Sequence, residues 1–253
     1  MRMNKKVTGC IVTYNNIRTI GVAVSTLLKN TVCDFTLYAV DNGSTDGTVE
    51  FLRENFPQVK LIVSERNIGF GAGHNSIIDR LDSDYHVIIN PDIVLRDDVI
   101  SLMTDYLEEH DEIGMLSPKI EFPDGRPQIL GKRIPKPYYL AASRLRGKEP
   151  GKLLREYAML DEDMTMPRQI ENATGCFMVI RTELFRKLGG FDSRYFMYFE
   201  DCDLTREVNK VSKVFYFPYA TVYHEWGRES KKDMKLKIIQ IQSMLKYYSK
   251  WGI

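Results

Sequence analysis

The sequence predicts an α/β protein with a largely parallel sheet, and three features of its first half carry that prediction. Short apolar runs at residues 7–13, 35–40, 59–63 and 85–89 have the length of buried strands. Between them, apolar residues recur at helical spacing, as in Ile17, Ile20, Val24, Leu27 and Leu28. Each run also stops at a polar, turn-forming segment: Tyr14-Asn15-Asn16, Asp41-Asn42-Gly43, the glycine-rich loop 69–75, and Asn90-Pro91-Asp92. Strands alternating with helices pack as a parallel sheet, and ligands bind outside the carboxyl ends of such strands. These polar segments should therefore line one edge.

The elements follow in order. After the first strand a helix reaches Asn30; after the second, Asp41 to Gly47 opens a helix through Val49, Phe51 and Leu52. The glycine loop leads into a helix with Ile77, Ile78 and Leu81. Residues 115–122, a Pro123-Asp124-Gly125 turn and 128–131 predict a hairpin. Residues 132–169 show weak periodicity, several prolines and mixed charge, and read as an insertion. A strand at 173–180, a helix at 183–188, and short strands at 214–217 and 221–223 complete the second half.

At the C-terminus, 228–253 holds seven basic against two acidic residues, and Ile238, Ile241, Leu245 and Tyr248 share a helical face. Two readings stand: a basic amphipathic helix on an anionic membrane surface, and a terminal helix docked on the core with its lysines in water. The expected division is a catalytic domain at 1–227 and this basic helix at 228–253. Within the domain, 1–112 would be a nucleotide-binding half and 113–227 an acceptor half containing the insertion 132–169.

With 253 residues and 43% hydrophobic content the chain can bury a full core. A formal charge of +1 gives no global field for nucleic acid. Cys10, Cys33, Cys176 and Cys202 lack paired metal-ligand spacing, which fits a reducing cytoplasm. No run approaches membrane-span length, so a soluble or peripheral protein is expected.

Candidate chemistry concentrates in two places. The segment Gly189 to Leu204 sets Asp192, Glu200, Asp201 and Asp203 among Phe191, Tyr195, Phe196, Tyr198 and Phe199. Charge is costly beside aromatics, so these acids should meet a cation, a donor or a reacting proton, or else favour a helix N-terminus by their charge. Asp92, presented by a strand end and stiffened by Pro91, suits a divalent cation or an N-cap. His224 would add one imidazole to that metal. Asp41 would accept from a nucleobase or ribose, or close an Asx-turn. The glycine loop is no dinucleotide fingerprint, because His74 stands where the third glycine belongs.

Taken in order, IVTYNN, AVDNGSTDGT, NIGFGAGHN, NPD, ATGCFMVIR, GGFDSRYFMYFEDCDL and HEWGRES resemble the family 2 glycosyltransferases of the GT-A fold, most closely the bacterial rhamnosyltransferase branch. The resemblance implies a nucleotide-diphosphate sugar donor, Mn2+ or Mg2+, and transfer with inversion at the anomeric carbon. It implies that Thr13, Tyr14 and Asn15 line the nucleotide pocket, Asp41 binds the base, and Asn67, His74 and Asn75 flank nucleotide and sugar. Asp92 falls on the last carboxylate of the DXD motif, while Asn90 replaces the first. That departure weakens metal binding or makes it more dependent on His224. Asp201 would be the base, Glu200 would orient or bind acceptor hydroxyls, and Arg228 and Ser230 would contact phosphate. The implied donor is dTDP-rhamnose. The implied acceptor is a lipid-linked saccharide of a bacterial surface polysaccharide, met at the inner face of the plasma membrane.

Two rival functions predict different residues. A sugar nucleotidyltransferase would carry a basic glycine-rich loop after the first strand, where this chain has Thr13-Tyr14-Asn15-Asn16. A non-catalytic sugar-nucleotide-binding subunit would lack the acidic base.

Overall fold

The computed structural model describes residues 5–144, 149–225 and 233–253. Its frame is one sheet in the order β3-β2-β1-β4-β8-β6-β9-β5, with β7 paired to β9. The first half is parallel as expected: β1 (Lys6–Thr13) lies between β2 (Asp34–Asp41) and β4 (Tyr85–Ile89), and β3 (Lys60–Val63) adds to β2. These strands read as unbroken apolar runs because both faces are covered. Ile11 and Ala39 join the core on one face, while Cys10, Val12 and Val40 join the core on the other. Helix α1 (Ile20–Asn30) buries Ile20, Ala23, Val24 and Leu27, and α2 (Thr48–Asn55) buries Thr48, Val49 and Leu52. The glycine loop turns into the short α3 (Phe70–Asn75).

The second half adds antiparallel pairs to the parallel ones, so the sheet as a whole is mixed. After the two-residue β5 (Ile93–Val94), α4 (Val99–Glu108) is capped by Asp98, whose carboxylate accepts from Ser101 N at 3.2 Å. Strand β6 (Ile113–Glu121) does not form the expected hairpin. The turn exists, with Gly125 N donating to Phe122 O at 2.8 Å, but the return arm touches β6 only at the Glu121–Pro127 bridge. Strand β9 (Lys213–His224) pairs with β6 in parallel along the opposite edge, since Glu121 faces both Pro127 and Tyr223. The two short strands expected at 214–217 and 221–223 are this one strand, interrupted by a register shift opposite Pro118 and Lys119.

The insertion folds. Helices α5 (Pro137–Arg144) and α6 (Lys152–Tyr157) enclose a small cluster in which the Tyr139 and Tyr157 rings stack at 5.1 Å, and β7 (Arg168–Gln169) returns to the sheet. Strand β8 (Phe177–Arg181) then runs antiparallel to both β4 and β6, followed by α7 (Thr182–Lys187). Helix α8 (Glu200–Val211) carries the acids, and α9 (Met234–Trp251) is the C-terminal helix.

Helix α9 docks on the acidic, aromatic segment. Ser243 and Tyr247 are buried; Ser243 Oγ donates to Met197 O at 2.8 Å, and Tyr247 packs with Tyr195 and Phe199. Ile238, Ile241 and Leu245 lie on the uncovered side, each about half exposed. Among the described residues no helix is long and apolar enough to cross a membrane, and the four cysteines are free.

Candidate active site

The strand-end loops of the first half meet at one edge and are tied by side-chain-to-backbone bonds. Asn15, in the left-handed region at φ 55°, accepts from Thr45 N at 2.8 Å, and its own N–H donates to Ser44 Oγ at 2.8 Å. Thr13 is buried and donates to Asn16 Oδ1 at 3.0 Å, leaving Tyr14 exposed at the edge. Asp41 is fully buried; its Oδ1 accepts from Gly43 N and Ser44 N, the Asx-turn reading, while Oδ2 has no hydrogen-bond partner. A buried carboxylate oxygen left this way wants a donor, which an imide or a ribose hydroxyl supplies. Asn67 Oδ1 accepts from Gly69 N at 2.9 Å and closes the glycine loop.

His74 lies fully buried under the loop, packed against Phe70 and Phe191 with His86 beyond, and burial drives its pKa well down. Neither ring nitrogen has a hydrogen-bond partner among the described residues. Asn75 is committed: its amide donates to Phe191 O at 2.7 Å and accepts from Phe191 N at 2.8 Å. Both residues fasten the glycine loop to the acidic segment. Gly69 makes that contact possible, since at φ 91° a side chain there would be strained and would strike Phe196 O.

Asp92 and His224 do come together. Strand β5 pairs Ile93 with His224, which brings His224 Nε2 to 3.3 Å from Asp92 Oδ1. Asn90 Nδ2 is 3.5 Å from the same imidazole nitrogen. Burial opposes charge on His224, but Cys176 and Asp92 beside it outweigh burial and lift its pKa to about 10. Gln128, which the sequence did not single out, holds the ring from behind: Nε2 donates to His224 O at 2.7 Å, and Oε1 lies 3.3 Å from Nδ1. Apart from this contact with His224, Asp92 Oδ1 is buried without a hydrogen-bond partner. One carboxylate and one imidazole fit a divalent ion whose other ligands are phosphate and water. Among the described residues no group of three or more His, Cys, Asp or Glu converges, so protein atoms alone do not complete such a shell.

The second acid centre sits at the start of α8. Tyr198 and Phe199 both have positive φ, 70° and 67°, a strained approach that turns the chain into the helix. Glu200 is buried, facing Gly71 of the glycine loop, and its Oε2 has no partner. Burial, then the neighbouring Asp201, raises its pKa to about 8. Asp201 is half-buried and faces the other way: Oδ2 accepts from Gly175 N at 2.9 Å and Oδ1 from Cys202 N at 2.8 Å. Burial raises its pKa, and these N–H groups act against the rise.

Gly175 and Cys176 join the two centres. Gly175 N–H holds Asp201, Cys176 O accepts from Asn90 N at 2.9 Å, and the Cys176 thiol sits beside His224. A Cβ on Gly175 would come within 3.0 Å of the Asp201 side chain, so glycine is what lets the strand approach the acid. A glycine within the apolar run 173–180 is the sequence signal of such an approach. Asp203, the third acid, takes no part in the cleft. Buried, it accepts from Lys250 Nζ and Trp251 Nε1, each at 2.7 Å, and so ties α9 to the acidic turn. Arg228 and Ser230 lie outside the described residues.

A parallel first half, a carboxylate at the fourth strand end and an acid pair on a later helix match the GT-A fold of glycosyltransferases. The family model for "Glycosyl transferase family 2" matches residues 10–189, and the chain belongs to that family. It is 28% identical over 221 residues, 76% of this chain and 67% of the relative, to an N-acetylglucosaminyl-diphospho-decaprenol L-rhamnosyltransferase of Mycobacterium tuberculosis, in keeping with the bacterial rhamnosyltransferase branch. Among solved structures it is similar to a mannosyltransferase of Pyrobaculum calidifontis in complex with GDP-Man and Mn2+, at TM-score 0.67 and 16% identity, covering 98% of this chain and 64% of that one. It is also similar to GalNAc-T7 with UDP, GalNAc and Mn2+, at TM-score 0.64 and 16% identity, covering 88% of this chain and 44% of that one. The chain thus spans less than two thirds of either solved protein, and the likeness bears on fold.

Proposed function

We propose that this protein is an inverting glycosyltransferase that moves rhamnose from dTDP-rhamnose to a hydroxyl of a lipid-linked glycan in bacterial surface polysaccharide synthesis. The observation that carries the proposal is the joining of the Asp92–His224 pair to the Glu200–Asp201 pair through Gly175 and Cys176. One pair suits the leaving nucleoside diphosphate and the other the incoming alcohol. The similarity to the rhamnosyltransferase supports both the sugar and the lipid-linked acceptor.

In this mechanism the nucleotide lies across the loops at Asn15, Asp41 and Asn67, with Asp41 Oδ2 accepting from base or ribose. Asp92 and His224 hold Mn2+ or Mg2+, and His224 must release its proton before it can be a ligand. Such an ion, when bound, neutralises charge growing on the departing diphosphate. Asp201 takes the proton of the acceptor hydroxyl as that oxygen attacks the anomeric carbon from the face opposite the leaving group. Glu200, its pKa at about 8, is largely protonated at neutral pH and so keeps the pair from carrying two charges. It can donate its hydrogen to a neighbouring oxygen.

The test is a panel of nucleotide sugars with manganese, read by thermal shift and then by transfer to a lipid-linked N-acetylglucosamine. A true donor stabilises the folded state by mass action. dTDP-rhamnose should shift the melting temperature most and be consumed only with acceptor present. Stabilisation by a UDP-hexose instead would change the sugar, and indifference to every donor would remove the reading. The same reading places the half-exposed Ile238, Ile241 and Leu245 against an anionic membrane. Replacing all three with serine should then abolish sedimentation with phosphatidylglycerol vesicles, and unchanged pelleting would sink that part.

A further inference from the structure

A cavity of about 380 Å³ opens between β6, the stretch 127–132 and residues 158–174. Its wall includes Thr174, next to the Gly175 N–H that holds Asp201, so it adjoins the acid pair on the side away from the glycine loop. The lining is mostly apolar, with Leu130, Met159, Leu160 and Ile170 among its residues. Among its polar residues, two lack a full set of partners. Asn172 is buried; its amide donates to Gly131 O at 3.0 Å, but its Oδ1 has no hydrogen-bond partner. Lys132 lies against the Tyr216 ring, with Nζ 4.8 Å from the centroid, and among the described residues no carboxylate pairs with it. The carboxylate that lines the same cavity, Glu162, is already held by Arg133 at 2.6 Å and Arg168 at 2.7 Å.

An unpaired ammonium on an apolar wall attracts an anion, because the low dielectric that makes the lone charge costly strengthens its attraction to a counter-charge. Burial pushes the Lys132 pKa down to about 8, so the group remains mainly charged at neutral pH. A buried carbonyl oxygen without a donor is satisfied by a hydroxyl. The cavity wall therefore combines an oxygen that lacks a donor, an unpaired cation and apolar side chains, and it reaches Thr174, the residue before the Gly175 that holds Asp201. Asn172 and Lys132 are joined as neighbours, since Asn172 N donates to Lys132 O at 3.0 Å.

We infer that this cavity is the acceptor subsite, and that it takes a saccharide carried on a phosphate-bearing apolar chain: a sugar hydroxyl on Asn172 Oδ1, the phosphate on Lys132, and the first part of the chain along Leu130, Met159 and Leu160. The assignment rests on the glycosyltransferase reading and its lipid-linked acceptor, and adds to it the place in the fold and the residues that choose that acceptor.

The experiment measures binding without donor, by calorimetry, to two probes: N-acetylglucosamine diphosphate carrying a citronellyl chain, and the neutral octyl glycoside of N-acetylglucosamine. The native protein should bind the charged probe about tenfold more tightly, the scale of one charge-assisted hydrogen bond. Lys132→Ala should erase that preference while Lys132→Arg keeps it. Leu160→Trp, which fills the cavity from a partly exposed position, should weaken both probes. Thermal melts would confirm that each variant is folded, and donor binding should be unchanged in all three. Equal affinity of the native protein for the two probes, failure to bind the charged one, or a preference that survives Lys132→Ala would overturn the inference. Probe binding in a protein that transfers no sugar would leave the subsite standing and remove the proposed function. Transfer that is indifferent to all three variants would do the reverse.

Discussion

The two acid centres of this protein are built by opposite means. Asp92 is set by a strand end and a proline, and its neighbour is an imidazole, so a cation can join the pair once His224 has released its proton. Glu200 and Asp201 are set by two consecutive left-handed residues and by a helix docked from the far end of the chain, and each has another carboxyl as its neighbour. Two acids in one buried place cannot both ionise freely. The difference in partners suits one centre to hold negative charge that arrives with a ligand and the other to exchange a proton. Titratable groups pushed apart by their surroundings mark division of labour in an active site.

The sharpest way to break this comparison is Asp201→Asn. It should lower transfer by on the order of a thousandfold, the scale of a lost general base, while calorimetric donor affinity stays the same. Comparable turnover would take the proton-accepting role away from Asp201.

Next in size is the anchor of the acid turn. Lys250 reaches Asp203 at 2.7 Å, Glu207 at 2.9 Å and Asp192 at 3.0 Å. Lys250→Met strands the buried Asp203, so denaturant unfolding should show a loss of about 3 kcal/mol, and Lys250→Arg should recover part of it. Equal stability of the methionine variant would mean that the turn holds itself without α9.

Asp92→Ala comes third. It should weaken donor binding in manganese on the order of 10- to 100-fold and change binding without metal far less, as read by titration calorimetry in both buffers. Equal losses in the two buffers would show that Asp92 contacts the donor directly rather than through an ion.

The smallest effect concerns pH. A carboxyl whose folded pKa is raised binds its proton more tightly in the native state, so stability falls as pH climbs from its unfolded value towards the folded one. For Glu200 that window runs from about 4.5 to about 8. Glu200→Gln should therefore flatten the decline of stability across this range and be the more stable protein at pH 8. Parallel curves for the two proteins would show that Glu200 is not the strained acid.

How much of this could be read along the chain depended on distance in sequence. The parallel half was legible because each strand, turn and helix is a local pattern: buried on both faces, β1, β2 and β4 are mainly apolar, with polar residues few and concentrated at their ends. Asp92 was legible for the same reason, as a carboxylate following a strand end. The hairpin at 115–131 is confined to the Glu121–Pro127 bridge, and the long ladder of β6 is made instead with β9, about a hundred residues on, which no local pattern announces. The burial of His74 was not legible, because a glycine-rich loop at a strand end suggests a ligand, whereas Phe191, more than a hundred residues on, packs with Phe70 against the ring. Gln128, Asn172, Lys132 and Lys250 gave no signal at all. Each acts on a partner that only tertiary packing supplies.

The sequence by itself determined the strands and their polar ends, since periodicity and turn chemistry act over a few residues, and the order of its motifs determined the family. Tertiary structure decided which acid faces which neighbour. The Gly175 N–H at Asp201, the Cys176 and His224 contact and the Lys250 clamp on Asp203 all join segments far apart in the chain, and the charge state of a buried carboxyl depends on what folding places beside it.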